Sequence, residues 1–344
     1  MLLRGLGSAG AEVILINSLN PSRARRYLEC ELRALRQASN VDVIVMGARG
    51  DYYGQPLSLF RPFLECRVVA FDAVLSLYET FVVDRQYYPI DSTAAWSLHL
   101  LDEIALQSSD VVIADTQAHA QYYTSEFRLS RARARTTYIG TDDSVFYPRP
   151  RRGRAETFVV GFWGGFIPLQ GIENIVRAAK LVSGEPDIAF VLLGHGQTWN
   201  GIHSLAKTLN LSNLRFEPDW MSYEELADRV AAFDLCLGVF GANPKALNII
   251  PNKAFETMAM RLPLVTADTP ASREVLTNRD NAFLVPVGDP EALADSILEL
   301  KSNPELRHAI AIAGYSLFKE RFTPAAIGRS FLDTLKPFVD SSHD

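Results

Sequence analysis

Short runs of β-branched and aliphatic residues alternate along this chain with longer stretches whose apolar positions recur every three or four residues. That alternation is the signature of parallel strands joined by crossover helices. In the first half it predicts strands at Glu12–Ile16, Val41–Met46, Arg67–Phe71, Ala73–Ser76, Val111–Ala114 and Thr136–Ile139. Helices are predicted near Ser22–Arg36, Ala94–Gln107 and Thr116–Phe127. In the second half the predicted strands are Phe158–Trp163, Ala189–Leu193, Leu214–Pro218, Leu235–Val239, Leu264–Thr266 and Ala282–Val285, each followed by a helix or turn. The fold class is α/β, with two tandem Rossmann-like doubly wound domains. Two prolines and a glycine in the segment Phe146-Tyr-Pro-Arg-Pro-Arg-Arg-Gly-Arg-Ala-Glu156 let neither element continue, so the boundary is placed there. A first domain then covers 1–150 and a second 151–322, followed by a terminal segment 323–344. Helix starts are marked by a capping box at Ser222-Tyr-Glu-Glu225 and by Asp289-Pro290 and Thr323-Pro324.

At 344 residues and 48% hydrophobic, the chain can bury two cores and lacks the composition of a disordered protein. Its formal charge of −6 is spread over both halves, since residues 1–150 carry 15 Arg against 17 Asp and Glu. Neither half offers the basic field that general nucleic-acid binding requires, and nucleic acid is not an expected partner. Cys30, Cys66 and Cys236 are an odd number with no paired spacing, which argues against a secreted disulfide framework and a cysteine-based zinc site and suits a reducing cytoplasm. No apolar run reaches the ~18 residues of a spanning helix.

Two tandem doubly wound domains place a ligand at the carboxyl ends of their strands. Two segments of the second half carry the chemistry. Phe158-Val-Val-Gly-Phe-Trp-Gly-Gly-Phe-Ile-Pro-Leu-Gln-Gly171 runs from a strand through a glycine turn into a helix, so the amides at Gly164 and Gly165 can meet a phosphate. The same glycines also suit a plain tight turn. In Ile250-Pro-Asn-Lys-Ala-Phe-Glu256, Asn252 is a candidate N-cap, while Lys253 and the free first-turn N–H groups favour an anion. Glu256, one turn further on, can accept from the two hydroxyls of a ribose. The plainer alternative is a glutamate that complements the helix dipole beside a solvated lysine.

Pro251-Asn-Lys-Ala-Phe-Glu-Thr-Met-Ala-Met-Arg-Leu-Pro-Leu-Val265, Ser272-Arg-Glu-Val-Leu276 and Asn281-Ala-Phe-Leu-Val-Pro286 resemble the nucleotide-sugar half of glycosyltransferase family 4. Gly164-Gly-Phe-Ile-Pro-Leu-Gln-Gly171, Leu193-Gly-His-Gly196 and Phe216-Glu-Pro-Asp-Trp-Met-Ser222 extend the resemblance, which covers about Phe158 to Phe322. It implies the GT-B fold, with the active site in the interdomain cleft, acceptor bound mainly by the first domain and nucleotide-sugar by the second, and the terminal helix packed back on the first domain. Glu256 matches the second glutamate of the family's paired-glutamate motif, which binds the ribose. The first glutamate is replaced by Asn248, whose amide can still hydrogen-bond a sugar hydroxyl. The basic residues that many members place in the glycine loop are here Gly165 and Gln170, so Lys253 is the candidate for the phosphate charge. Gly194, Gly196, Trp220 and Met221 complete the implied donor side, with the last two near the base. Packing is the alternative role for Trp220.

In the first half the resemblance continues through Ser76-Leu-Tyr-Glu-Thr-Phe-Val-Val-Asp-Arg85 and Ser109-Asp-Val-Val-Ile-Ala-Asp-Thr-Gln-Ala-His119. Tyr78, Glu79, Asp84, Arg85, Asp115, Thr116 and His119 are expected to face the cleft on the acceptor side, with His119 a catalytic candidate alongside Asn248 and Lys253. Members usually begin with a strand and glycine loop ahead of the segment resembling Leu2–Ile16, so an upstream start is expected. No two aspartates stand two apart, which removes the metal–diphosphate motif of the other main glycosyltransferase fold, and no metal or cofactor is expected beyond the nucleotide-sugar co-substrate. The resemblance implies retaining transfer to a hydroxyl of a glycan, lipid-linked or small-molecule acceptor, and it leaves peripheral contact with the inner face of the membrane open. A GT-B nucleotide-sugar epimerase and an inactive nucleotide-sugar-binding relative are the alternatives.

Overall fold

The computed structural model describes residues 1–47, 64–150, 157–218 and 221–341. The chain divides into two units, one of Leu2–Tyr138 with Ile327–Asp344 and the other of Ile139–Ala326. Residues 139–150 therefore group with the second unit, so the change falls before the proline-bearing segment 146–156 in which the sequence places it.

In the N-terminal unit β1 (Val43–Gly47), β2 (Val68–Asp72), β3 (Val111–Ala114) and β4 (Ala134–Thr136) form a parallel sheet in the order β1-β2-β3-β4. Alternation along the strands sends side chains to two buried faces. Val69, Phe71, Val112 and Ala114 share a core with Ala34 of α2 (Arg23–Gln37), Ala105 and Leu106 of α3 (Thr93–Ser108) and Tyr123 of α4 (Gln117–Glu126). Val68, Ala70, Val111 and Ile113 pack on the other face with Leu6 of α1 (Leu2–Ser8) and with Phe331 and Leu335 of the terminal helix.

Two expected strands are absent. Glu12–Ile16 has no regular structure, and Val13, Ile14 and Leu15 are exposed. Its β-branched residues favour an extended chain, but a strand persists only where a neighbour pairs its N–H and C=O groups, and no described residues pair with it. Past β2, Ala73 N–H continues the ladder to Ile113 O at 2.8 Å. The chain then turns so that Ser76 hydrogen-bonds Asp102, which ends the strand expected at Ala73–Ser76. The strand expected at Thr136–Ile139 begins two residues earlier, at Ala134.

The second unit holds a six-stranded parallel sheet in the order β10-β9-β8-β5-β6-β7. Its strands are β5 (Phe158–Trp163), β6 (Ile188–Leu193), β7 (Leu214–Glu217), β8 (Leu235–Leu237), β9 (Leu264–Ala267) and β10 (Phe283–Val285). The helices are α5 (Ile172–Leu181), α6 (Trp199–Thr208), α7 (Tyr223–Val230), α8 (Pro244–Asn248), α9 (Asn252–Ala259), α10 (Pro290–Ser302), α11 (Pro304–Arg321) and α12 (Pro324–Asp340), the last continuing into the N-terminal unit. The Ser222–Glu225 capping box forms, and Asp289 and Thr323 accept from Ala292 N–H and Ala326 N–H. From β5 the chain builds outward to β6 and β7, then returns to the other side of β5 with β8. The order reverses there, and the carboxyl end of β5 borders the resulting crevice, where open α/β sheets bind ligands. Among the described residues no helix is long and apolar enough to cross a membrane.

In the N-terminal unit α12 meets α1 at Gly328, where a β-carbon would overlap the Gly5 carbonyl. Gly328→Ala is expected to lower stability by about 1–3 kcal/mol, measured as a shift in urea midpoint. An unchanged midpoint would mean that this close packing is not needed.

Candidate functional site at the end of strand β5

The chain leaves β5 at Trp163 and turns at Gly164, whose φ of +132° is open to glycine but strained for other residues. Gly194 (φ +121°) follows β6, and a β-carbon on it would overlap the Gly164 carbonyl, so the two loops lie in backbone contact. A β-carbon on Gly196 would similarly meet the Phe166 backbone at 2.6 Å. Gly194 and Gly196 thus serve loop-on-loop packing, while Gly165 is exposed beside them.

Helix α9 brings its first turn to this loop. Its N-cap is Pro251, and Asn252, expected as the cap, is instead the first helical residue and exposed. Proline carries no side-chain acceptor, so no side chain caps this end. Lys253 is 4% exposed. Its ammonium sits 3.9 Å from the Phe162 ring centroid, donates to Gln170 Oε1, and lies 3.5 Å from where a β-carbon on Gly164 would be. Burial lowers its pKa to about 7, partly opposed by the negative charge of Glu256. Glu256, three residues on, is buried too, and its Oε2 accepts from the Trp163 indole N–H at 2.6 Å. Burial pushes its carboxyl upward, while the indole and Lys253 pull it back.

Gly164, Gln170, Lys253 and Glu256 are therefore brought together, and the solvated-lysine alternative is excluded. Gln170 acts as the acceptor for Lys253. Asn248 ends α8 half-buried, and Met221 is half-buried ahead of α7. Trp220 lies outside the described residues. A strand aromatic beside a glycine reads as core, so the sequence does not single out Phe162 and Trp163.

The N-terminal unit holds a second polar cluster, at the carboxyl ends of β2 and β3. His119 Nδ1 is 2.6 Å from Asp115 Oδ1 and Nε2 is 3.1 Å from Glu79 Oε2, all three being buried. Burial opposes the charge on His119, but Glu79 and Asp115 overcome it and push the imidazole pKa up to about 10. Thr116 caps α4 by accepting from His119 N–H at 2.9 Å. Asp84 is 1% exposed and pairs with Arg85 at 3.2 Å. Glu79, Asp84, Asp115, Thr116 and His119, expected to face the cleft on the acceptor side, are all buried within their own unit. A buried carboxylate needs a partner within reach, and here Glu79 and Asp115 meet His119 while Asp84 meets Arg85. Tyr78 and Arg85 keep partial exposure.

Sequence reasoning missed two neighbours of this cluster. Asp102 accepts from Ser76 Oγ (2.7 Å), Leu77 N–H (3.1 Å) and Tyr78 N–H (2.8 Å), and burial still pushes it up to about 6. Asp72, the last residue of β2, is pushed up to about 7 by burial and by Asp115. Asp102 stands more than 20 residues from its partners in the chain, so no local motif marks it.

Residues 157–303, which contain the β5 loop, Lys253 and Glu256, match the family model described as glycosyl transferases group 1. The match covers less than half of the chain and makes this stretch similar to group 1 glycosyltransferases. The chain is 23% identical over 230 residues to the lipopolysaccharide core biosynthesis glycosyltransferase LpsE of Rhizobium meliloti, covering 67% of this chain and 65% of that protein. It is 23% identical over 293 residues to the alpha-D-kanosaminyltransferase of Streptomyces kanamyceticus, covering 80% and 73%. With the capsular polysaccharide biosynthesis glycosyltransferase CapM of Staphylococcus aureus the match spans 48% of the relative's length. Among solved structures, Anabaena HepE in complex with UDP and glucose superposes with a TM-score of 0.70 at 17% identity, covering 94% of this chain and 85% of that one. Sucrose-phosphate synthase from Thermosynechococcus elongatus gives 0.72 at 18%, covering 94% and 83%. These likenesses show the fold, two Rossmann-like units of the GT-B class.

The two clusters respond to pH in opposite senses. The His119 pKa is raised on folding from an ordinary value near 6.5, so its contribution is complete below about pH 6.5 and is lost as pH rises towards 10. The stability advantage of wild type over His119→Gln, from urea melts, is expected to shrink across that window. In the second unit, Lys253 is lowered from 10.5 to about 7, so its burial penalises the folded state most below about pH 7 and not at all above 10.5. Lys253→Met is expected to gain stability relative to wild type as pH falls from 10.5 to 7, and a pH-independent difference would show that the ammonium is not buried.

Proposed function

We propose that this chain is a glycosyltransferase of family 4 that moves a sugar from a nucleotide-sugar to a hydroxyl of a glycan, lipid-linked or small-molecule acceptor, with retention of configuration and without a metal. The observation that carries the reading is the buried Lys253–Glu256 pair on the first turn of α9, against a glycine loop and inside the stretch that is similar to group 1 glycosyltransferases. Burying both charges costs stability that apolar residues of the same volume would not, which argues for a ligand that uses them. A nucleoside diphosphate suits both, with its phosphates meeting the ammonium and its ribose hydroxyls meeting the carboxylate. HepE, whose structure holds UDP, supports that ligand class.

In this reading Lys253, the first-turn N–H groups of α9 and the Gly164 and Gly165 amides oppose the negative charge that grows on the departing diphosphate. Such preorganised donors act most strongly where water is excluded. Asn248 hydrogen-bonds the donor sugar through its amide. The departing phosphate takes the acceptor proton, so no enzymic nucleophile is invoked, and the absence of paired aspartates two apart supports a metal-independent route. On the acceptor side the partly exposed Tyr78 and Arg85 meet the substrate, while His119, Glu79 and Asp115 hold the loops that present them.

Calorimetric titration of UDP, GDP and ADP tests the donor site. One nucleotide is expected to bind with a Kd of about micromolar order, and Glu256→Ala is expected to weaken it at least ~10-fold. No binding of any of the three by folded wild-type protein would overturn the reading.

A further inference from the structure

Glu256 is held by a contact that neither the glycine loop nor the helix start requires. The Trp163 indole N–H donates to Glu256 Oε2 at 2.6 Å, with Trp163 4% and Glu256 7% exposed. An indole is a donor with one hydrogen and no acceptor, so it engages one carboxylate oxygen. The short distance is that of a charge-assisted bond. Among the described residues Oε1 accepts no hydrogen bond.

Trp163 is itself immobilised. Its ring packs against Phe233 with centroids 6.3 Å apart, and Phe233 occupies the space that a β-carbon on Gly161 would need. Phe162, the preceding residue, lies under the Lys253 ammonium, and Gly164, the following one, borders it. Three consecutive residues at the end of β5 therefore set the positions of both charged groups of α9. A free carboxylate can bracket a vicinal diol with one oxygen per hydroxyl. With Oε2 committed to a short bond, the two hydroxyls no longer meet equivalent acceptors.

We propose that Trp163 is a positioning residue of the donor site, fixing the Glu256 carboxylate so that Oε1 alone accepts from one ribose hydroxyl. The proposal rests on the reading of Glu256 as the ribose acceptor. It makes the ribose hydroxyls unequal in worth, so that deleting the one bonded to Oε1 weakens binding ~10- to 100-fold and deleting the other changes it less than about threefold.

The test titrates the nucleoside diphosphate that binds best among UDP, GDP and ADP, with its 2′-deoxy and 3′-deoxy analogues, into wild type, Trp163→Phe and Trp163→His. In wild type one analogue is expected to lose at least ~10-fold in affinity and the other almost none. In Trp163→Phe, which keeps a ring against Phe233 but removes the donor, the parent nucleotide weakens and the analogues become alike. Trp163→His restores a ring N–H and is expected to recover part of the asymmetry. A merely structural tryptophan would leave the ratio of the two analogues unchanged. As a reading that needs no variant, the 15N-indole signal of Trp163, assigned through its contact with the Phe233 ring, shifts when the nucleotide is added and shifts less with the sensitive analogue. Equal losses with both analogues in wild type, an unaltered ratio in Trp163→Phe, or an indole signal indifferent to nucleotide would each overturn the proposal. If Glu256→Ala abolishes binding while Trp163→Phe leaves affinity and ratio intact, the donor site stands and this inference alone falls. If no nucleotide binds wild type, the donor-site reading falls and this inference falls with it.

Discussion

An ammonium and a carboxylate buried one helical turn apart at the end of a parallel strand impose the constraint around which the second unit is arranged. Each ion must regain, from fixed protein groups, the solvation it loses on leaving water. Lys253 receives an aromatic face from Phe162 and an amide oxygen from Gln170, while Glu256 receives the indole N–H of Trp163. These partners come from β5 and the short turn after it, so β5 and α9 must meet in one register. The glycines follow from that demand, because the loops after β5 and β6 pass with carbonyl against α-carbon at Gly164 and Gly194. The compensation is incomplete, as the lowered pKa of Lys253 records. An incompletely compensated cation at the crevice where strand order reverses is what an anionic ligand would complete.

The N-terminal unit resolves the same physical problem differently. Its strand ends also collect acidic residues, but His119 stands between Asp115 and Glu79 and is held as an imidazolium by both. Ser76, Leu77 and Tyr78 turn their donors onto Asp102. These contacts tie the segment after β2 to α3 and to the segment after β3. The two clusters thus differ in charge, one centred on an imidazolium between two carboxylates and the other on a lysine whose pKa burial lowers.

Much of this was legible in the sequence, because strands buried on both faces are written as continuous apolar runs and helix starts as capping residues. The runs at Val111–Ala114 and Phe158–Trp163 became strands at those residues, and the box at Ser222–Glu225 formed. Glu12–Ile16 failed because a strand is a property of a pair, and its apolar residues say nothing about whether an edge is available. Lys253 and Glu256 stood out as a charged pair beside a glycine loop. Trp163 and Asp102 did not, since one reads as core and the other as an ordinary helical acid.

The sequence by itself determined what depends on near neighbours in the chain: α/β class, two doubly wound units, most strands, most of the helix caps it marked, and the glycine loop and helix that carry Lys253 and Glu256. Only the tertiary structure decided which polar groups face inward and what each one touches. His119 changed from a catalytic candidate to a buried ion-pair centre, and Trp163 from a core aromatic to the partner of Glu256, through contacts that span 40 and 93 positions along the chain. Periodicity records which face of an element is apolar. The choice of partner for a buried charge is made between elements, by the desolvation that only packing creates.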